Sequence, residues 1–124
     1  MKVIVYGTLK KGGRLSSYLR GADFLTDVYV SGFKMYDTGF GYPFIMEGKE
    51  GDRIWGEKYE VDERTLETLD MVEGVKYELF KRLDLKDLKP HVKEPTYIYV
   101  STIEKMSYEG ESQEIESGRW DVDR

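Results

Sequence analysis

Apolar and polar positions alternate along most of this chain on a two-residue period, interrupted by glycine-rich turns, and only two stretches follow a helical period. Lys2 to Tyr6 is a β-branched apolar run that stops at Gly7, the pattern of a buried strand. Further strands are predicted over Ala22 to Val30 and Phe33 to Tyr36, separated by Ser31-Gly32. Tyr42 to Met46 and Arg53 to Val61 form another predicted pair, joined by the turn-rich segment 47–52. Tyr77 to Leu85 and Thr96 to Thr102 complete the strands, with a polar linker holding Pro90 and Pro95 between them.

The helical stretches are Arg14 to Arg20, which aligns Leu15, Tyr18 and Leu19 and stops at Gly21, and Glu63 to Val72, capped by Asp62 and closed by Gly74. The tail from Glu104 is acidic and weakly patterned until Ile115 and Trp120, which are expected to dock back. Many short strands with two helices imply an α+β fold, a curled and partly closed mixed sheet. With 124 residues and no repeat or composition break, residues 1–124 are expected to form one domain.

The second helix carries an anomaly. Taking about 100° per residue from Leu66, Leu69 and Val72 lie at about −60° and −120°, and Glu73 lies at about −20° on the same arc. A carboxylate on a core-facing stripe must be paired, hydrogen-bonded or protonated. The negative end of the helix dipole adds to desolvation, and both raise its pKa toward the range of a working acid or base. A frayed helix end that lets Glu73 reach water fits the same pattern. Asp70, at about +40°, reads as a solvated helix residue. Glu57 alternates onto the face of Trp55, Tyr59 and Val61, where a supporting role is favoured over contact with a substrate.

Composition narrows the chemistry. There is no cysteine, so no thiol nucleophile, disulfide or thiolate metal site is available. The single histidine, His91, lies between two prolines and reads as a solvated loop residue, which disfavours nitrogen-ligated metals and Ser-His hydrolysis. A net charge of −5 argues against nucleic-acid binding. Neither a membrane span nor a leader is evident, so a cytoplasmic location is expected. The chain has no asparagine, one glutamine (Gln113) and 35% charged residues, a bias expected of a thermostable protein, with chance composition as the alternative.

The turn Tyr6-Gly7-Thr8-Leu9, between a strand and a helix, could present backbone amides to an anion. It approaches a nucleotide phosphate loop, but Gly13 and Arg14 stand where Lys and Ser/Thr are required. Taken alone, an ordinary turn with Gly7 present for its backbone freedom suffices.

Several segments together resemble the gamma-glutamylcyclotransferase-like proteins, most nearly the gamma-glutamylamine cyclotransferase branch. They are Tyr6-Gly7-Thr8-Leu9, Gly41-Tyr42-Pro43, the run from Trp55 to Val61, the run from Leu69 to Gly74 with Tyr77 downstream, and Ser117-Gly118-Arg119-Trp120. The resemblance implies a small mixed, strand-rich barrel flanked by two short helices. It also implies an enzyme without cofactor or metal that releases 5-oxoproline from a γ-glutamyl compound. It assigns the essential glutamate to Glu73, substrate holding to Tyr6, Gly7, Thr8 and Leu9, and a pocket tyrosine to Tyr77. Lys10-Lys11, Glu78 and Arg119 depart from residues frequent in that family, which bears on the substrate and leaves the reaction type intact. The alternative is a non-catalytic module on the same fold that binds a small anion or metabolite.

Overall fold

A computed structural model of the chain describes residues 1–102 and 112–122. Five strands, β1 (Lys2–Val5), β2 (Asp23–Ser31), β5 (Arg53–Glu60), β6 (Phe80–Asp84) and β7 (Thr96–Ser101), form one sheet in the order β2-β5-β1-β7-β6. β1 runs parallel to β7 and the other pairs are antiparallel, so the sheet is mixed. A second sheet contains β3 (Phe33–Asp37), β4 (Pro43–Glu47) and β8 (Gln113–Glu114) in the order β4-β3-β8.

Both faces of the larger sheet are covered at its centre, as the continuous apolar runs of β1 and β7 require, while the edge strand β2 is largely exposed. Val3, Val5 and Tyr99 point to one face and share a buried cluster with Leu66 and Leu69 of α1 (Glu63–Val72). Ile4, Ile98 and Val100 point to the other and share a cluster with Met35 and Ile45 of the second sheet. Leu85 of the short helix α2 (Leu85–Leu88) and Trp120 complete that second cluster, and Ile115 packs at its edge. The end of the chain thus docks as its apolar residues suggested, while residues 104–111 of the acidic tail lie outside the described residues.

Four local expectations change. The strands over 42–46 and 53–61 are not a hairpin: β4 pairs with β3, and β5 pairs with β1 and β2. The reason lies in two corners that switch sheets side by side. Gly32 N–H donates to the Asp52 carbonyl at 2.7 Å, and Gly48 N–H donates to the Gly32 carbonyl at 2.8 Å. Arg14 to Arg20 forms only a four-residue 3-10 turn, Ser16–Leu19, with Tyr18 exposed. Seven residues between glycines are too few to repay helix nucleation, and Leu15 offers no side-chain cap. Tyr77 falls in another 3-10 turn, Val75–Tyr77, because Gly74 turns left-handed (φ 68°) and Glu78 does so again (φ 58°) before β6 begins. Finally, α2 lies within the predicted strand end and linker, started by the Asp84 carboxylate accepting from Lys86 N–H.

The helix over 63–72 forms as its pattern requires. The Asp62 side chain accepts from Thr65 N–H at 2.7 Å, Leu66 and Leu69 are buried, and left-handed Gly74 ends it. No helix among the described residues is long and apolar enough to cross a membrane.

Candidate active site

β1 ends against the last turn of α1, and a cavity of about 240 Å³ lies between them. Tyr6, Gly7, Thr8 and Leu9 line one side and Val72 and Glu73 the other, closed by Tyr42-Pro43, Leu79-Phe80 and Tyr99. Arg14 and Leu15 also line it. Five of the six residues singled out in the sequence for binding or chemistry are therefore brought together.

The turn is closed by its own backbone hydrogen bonds. Lys10 N–H donates to the Gly7 carbonyl at 3.0 Å, Gly13 N–H to the Lys10 carbonyl at 2.8 Å, and Leu15 N–H to the Thr8 carbonyl at 3.0 Å. The N–H groups of Gly7, Thr8 and Leu9 meet no protein acceptor among the described residues. Gly7 is not left-handed; glycine is required there because a Cβ would lie 2.7 Å from Pro43 Cγ. The motifs around residues 7 and 43 are thus one structural unit. Gly13 meets the same kind of limit, since a Cβ would lie 2.2 Å from the Thr8 carbonyl oxygen.

Glu73 caps the C-terminus of α1, its own N–H donating to the Leu69 carbonyl at 2.9 Å. Its carboxyl makes no hydrogen bond or ion pair among the described residues. Glu73 is half-buried and lines the cavity. Burial pushes its pKa up to about 7. A carboxyl poised there exchanges protons readily near neutrality.

Two tyrosines fix the wall behind it. The buried Tyr6 hydroxyl donates to the Tyr99 carbonyl at 2.8 Å, and burial together with the Glu73 charge holds this phenol protonated. The Tyr99 hydroxyl donates to Asp70 Oδ1 at 2.7 Å, and Arg82 Nη1 donates to Asp70 Oδ2 at 2.9 Å. Burial and the Asp70 bond raise the Tyr99 pKa well above that of a free phenol, so it remains a donor. Asp70 is therefore not a solvated helix residue: it joins α1 to β6 and β7, because the edge of the apolar arc faces those strands. Sequence reasoning missed Tyr99, although its place beside Ile98 in an apolar strand marks a buried aromatic whose hydroxyl needs a partner. It also missed Arg14, for which no local pattern gives a signal.

Tyr77 is the exception. Its side chain is 72% exposed and lies outside the cavity, turned outward by the left-handed residues on either side, while Leu79 and Phe80 take the wall. Glu57 also lies outside. Its Oε1 accepts from Lys11 N–H at 2.9 Å and from the Tyr59 hydroxyl at 3.0 Å, so it anchors the far end of the turn. His91 is exposed and remote from Glu73. Among the described residues, no group of three His, Asp or Glu side chains is placed to hold a metal ion.

A family model described as gamma-glutamyl cyclotransferase, AIG2-like, matches residues 3–122. A Pyrococcus horikoshii protein named for the gamma-glutamylcyclotransferases is 40% identical over 81 residues, 64% of this chain and 66% of that protein. Its crystal structure, described as that of an uncharacterized protein, superposes with a TM-score of 0.72 at 25% identity, covering 96% of this chain and 88% of that one. The gamma-L-glutamyl-butirosin B gamma-glutamyl cyclotransferase of Niallia circulans is 34% identical over 87 residues, 66% of this chain and 54% of its own length. The matches thus span just under two thirds and about half of these two relatives. The solution structure of the Escherichia coli protein ytfP superposes with a TM-score of 0.70 at 28% identity, covering 100% of both chains.

Proposed function

Because this chain belongs to the gamma-glutamyl cyclotransferase, AIG2-like family, we propose that it releases 5-oxoproline from a γ-glutamyl amine or peptide, with Glu73 as general base and then general acid. The observation that carries this reading is the Glu73 carboxyl, its pKa raised by burial, lining one small cavity with Gly7, Thr8 and Leu9, whose N–H groups meet no protein acceptor among the described residues.

The reaction is an intramolecular acyl transfer. The substrate's α-nitrogen attacks its own γ-carbonyl carbon, a C–N bond closes the five-membered ring, and the C–N bond to the leaving amine breaks. Starting from the α-ammonium, the attacking nitrogen loses two protons and the departing amine gains two, so the proton count balances. Glu73 as a carboxylate pairs with the α-ammonium, takes a first proton to free the lone pair and passes it to the leaving nitrogen. The second proton, shed by the attacking nitrogen once the ring has closed, follows the same route. Pairing with that cation favours the ionised carboxyl once substrate is bound. Proton transfer by a positioned group of this kind contributes about 10² to 10⁴ in rate.

The remaining parts are positional. Folding a glutamyl chain back on itself makes the attack effectively unimolecular, which supplies a large share of the acceleration. The amides at residues 7–9 would receive negative charge, either the substrate carboxylate or the oxygen that becomes anionic as the carbonyl turns tetrahedral. Tyr6 and Tyr99 keep the wall rigid and neutral behind Glu73, and no step in this scheme calls for a cofactor.

The test is direct. The protein is incubated with a panel of γ-glutamyl amines, γ-glutamyl dipeptides and glutathione, and 5-oxoproline is measured by mass spectrometry. Release with at least one member supports the proposal. Saturable binding across the panel with no product selects a binding module instead.

A further inference from the structure

A second cavity, of about 540 Å³, lies where α2 and the connection 89–95 cross the larger sheet. Its floor is apolar: Ile4, Val30 and Leu85 are buried, and Val92 packs beside them. Its walls are basic, carrying Lys2, Lys58, Lys89 and Lys93 with Glu94 as the one acidic lining residue. The lysines come from separated places in the sequence, β1, β5 and the connection after α2, and the fold gathers them at one hollow.

The charges there are incompletely matched. Lys2 pairs with Glu94. Lys89 Nζ donates to the Ser31 hydroxyl at 3.2 Å and Lys93 Nζ to the Pro90 carbonyl at 3.1 Å, both neutral acceptors. Lys58 makes no ion pair among the described residues. In a chain of net charge −5, four lysines share the single Glu94 carboxylate above an apolar floor, and the excess ammonium charge forms a local field of opposite sign. Lysine ammoniums act as point charges for phosphate, and an apolar floor favours a ligand with an apolar body over a bare ion. The volume is that of a small-molecule site.

We propose that this cavity is a second ligand site, distinct from the Glu73 cavity, that takes a small phosphate-bearing metabolite with an apolar portion. Lys58, Lys89 and Lys93 engage the phosphate, and Ile4, Val30 and Leu85 seat the apolar part. The site stands independently of the cyclotransferase reading, because its walls contain neither Glu73 nor the turn at residues 6–9.

The experiment titrates the ¹⁵N-labelled full chain with phenyl phosphate and with inorganic phosphate at fixed ionic strength. Phenyl phosphate is expected to bind the more tightly of the two and to shift the amides of Ser31, Lys58, Lys89 and Val92, leaving Gly7, Thr8 and Leu9 unmoved. Lys58→Gln with Lys89→Gln should weaken binding about tenfold or more, and Lys89→Glu should weaken it further by placing a like charge against the phosphate. Lys76→Gln, exposed on the other side of the sheet, should change nothing. Circular dichroism checks that each variant is folded. The proposal is overturned if neither probe shifts these amides at millimolar concentration, if the double variant binds as the parent does, or if the shifts fall on residues 7–9.

Discussion

Gly7 and Pro43 are in contact so close that the smallest side chain at position 7 would lie 2.7 Å from Pro43 Cγ and 2.8 Å from Cδ. The proline ring cannot fold away as a flexible chain end would, so the turn over residues 6–9 is pinned by the strand that begins at Pro43. This contact fixes the position of the turn in the cavity that it shares with Glu73.

Gly7→Ala should therefore shift the turn without unfolding the domain. A stability loss of about 1–3 kcal/mol is expected from the overpacked contact. The more sensitive readout is ligand binding. Titration with 5-oxoproline or glutamate should move the amide signals of Gly7, Thr8 and Leu9 in the parent, and Gly7→Ala should lose that response. An unchanged response in the variant would separate the turn from the binding site.

Glu73 should leave a signature in the pH dependence of stability. Its folded pKa, about 7, lies above the ordinary value of 4.5. Below about 4.5 both folded and unfolded chains hold the proton, and there is no cost. Between about 4.5 and 7 the unfolded chain ionises first, so stability falls as pH rises, and above 7 the full penalty applies. Glu73→Gln never ionises. It should gain up to about 3 kcal/mol over the parent near pH 8 and nothing near pH 4, as read by urea unfolding at both values. A variant equally stable to the parent at both would mean that the carboxyl is not desolvated.

Asp70 links Tyr99 of β7 to Arg82 of β6 from its place on α1. Asp70→Ala strands the part-buried Tyr99 hydroxyl and frees Arg82, which should cost about 1–3 kcal/mol. Tyr99→Phe removes the donor and keeps the ring, so it should cost less, about 1 kcal/mol. Equal losses for the two variants, measured by denaturant unfolding, would show that Arg82 contributes nothing through Asp70.

These residues also mark how far the sequence could be read. Glu73 was legible because a carboxylate at about −20° on an apolar helical arc is an inconsistency that a local pattern exposes. Asp70, about 60° farther round, was not, because its partners Tyr99 and Arg82 are distant in sequence and only the packing of α1 on β6 and β7 brings them near. Strand positions followed from alternation, but strand partners did not. The glycine corners at 32 and 48 exchange hydrogen bonds across two sheets, and no local rule distinguishes such corners from hairpin turns. Tyr77 was placed in a strand because its composition suits one, whereas two left-handed residues, one of them the non-glycine Glu78, turn it outward. Gly7 was read as a residue chosen for backbone freedom; its actual constraint is a neighbour 36 positions away in the sequence.

The amide-poor, charge-rich composition bears on temperature. The domain should retain native circular dichroism above about 65 °C, the upper end of the ordinary mesophile range. Cooperative melting within about 45–65 °C would attribute the composition to chance.

The central claim is that Glu73 moves the protons of a ring closure. The measurement that tests it most directly is 5-oxoproline release by Glu73→Gln beside the parent, using whichever γ-glutamyl compound the parent turns over best. Glutamine preserves the size of the side chain and removes the base. The account predicts a rate lower by about 10² to 10⁴ in a variant with unchanged circular dichroism, and a parent whose kcat/KM rises with pH through a midpoint near 7. A Glu73→Gln variant that releases 5-oxoproline at the parent's rate would contradict it.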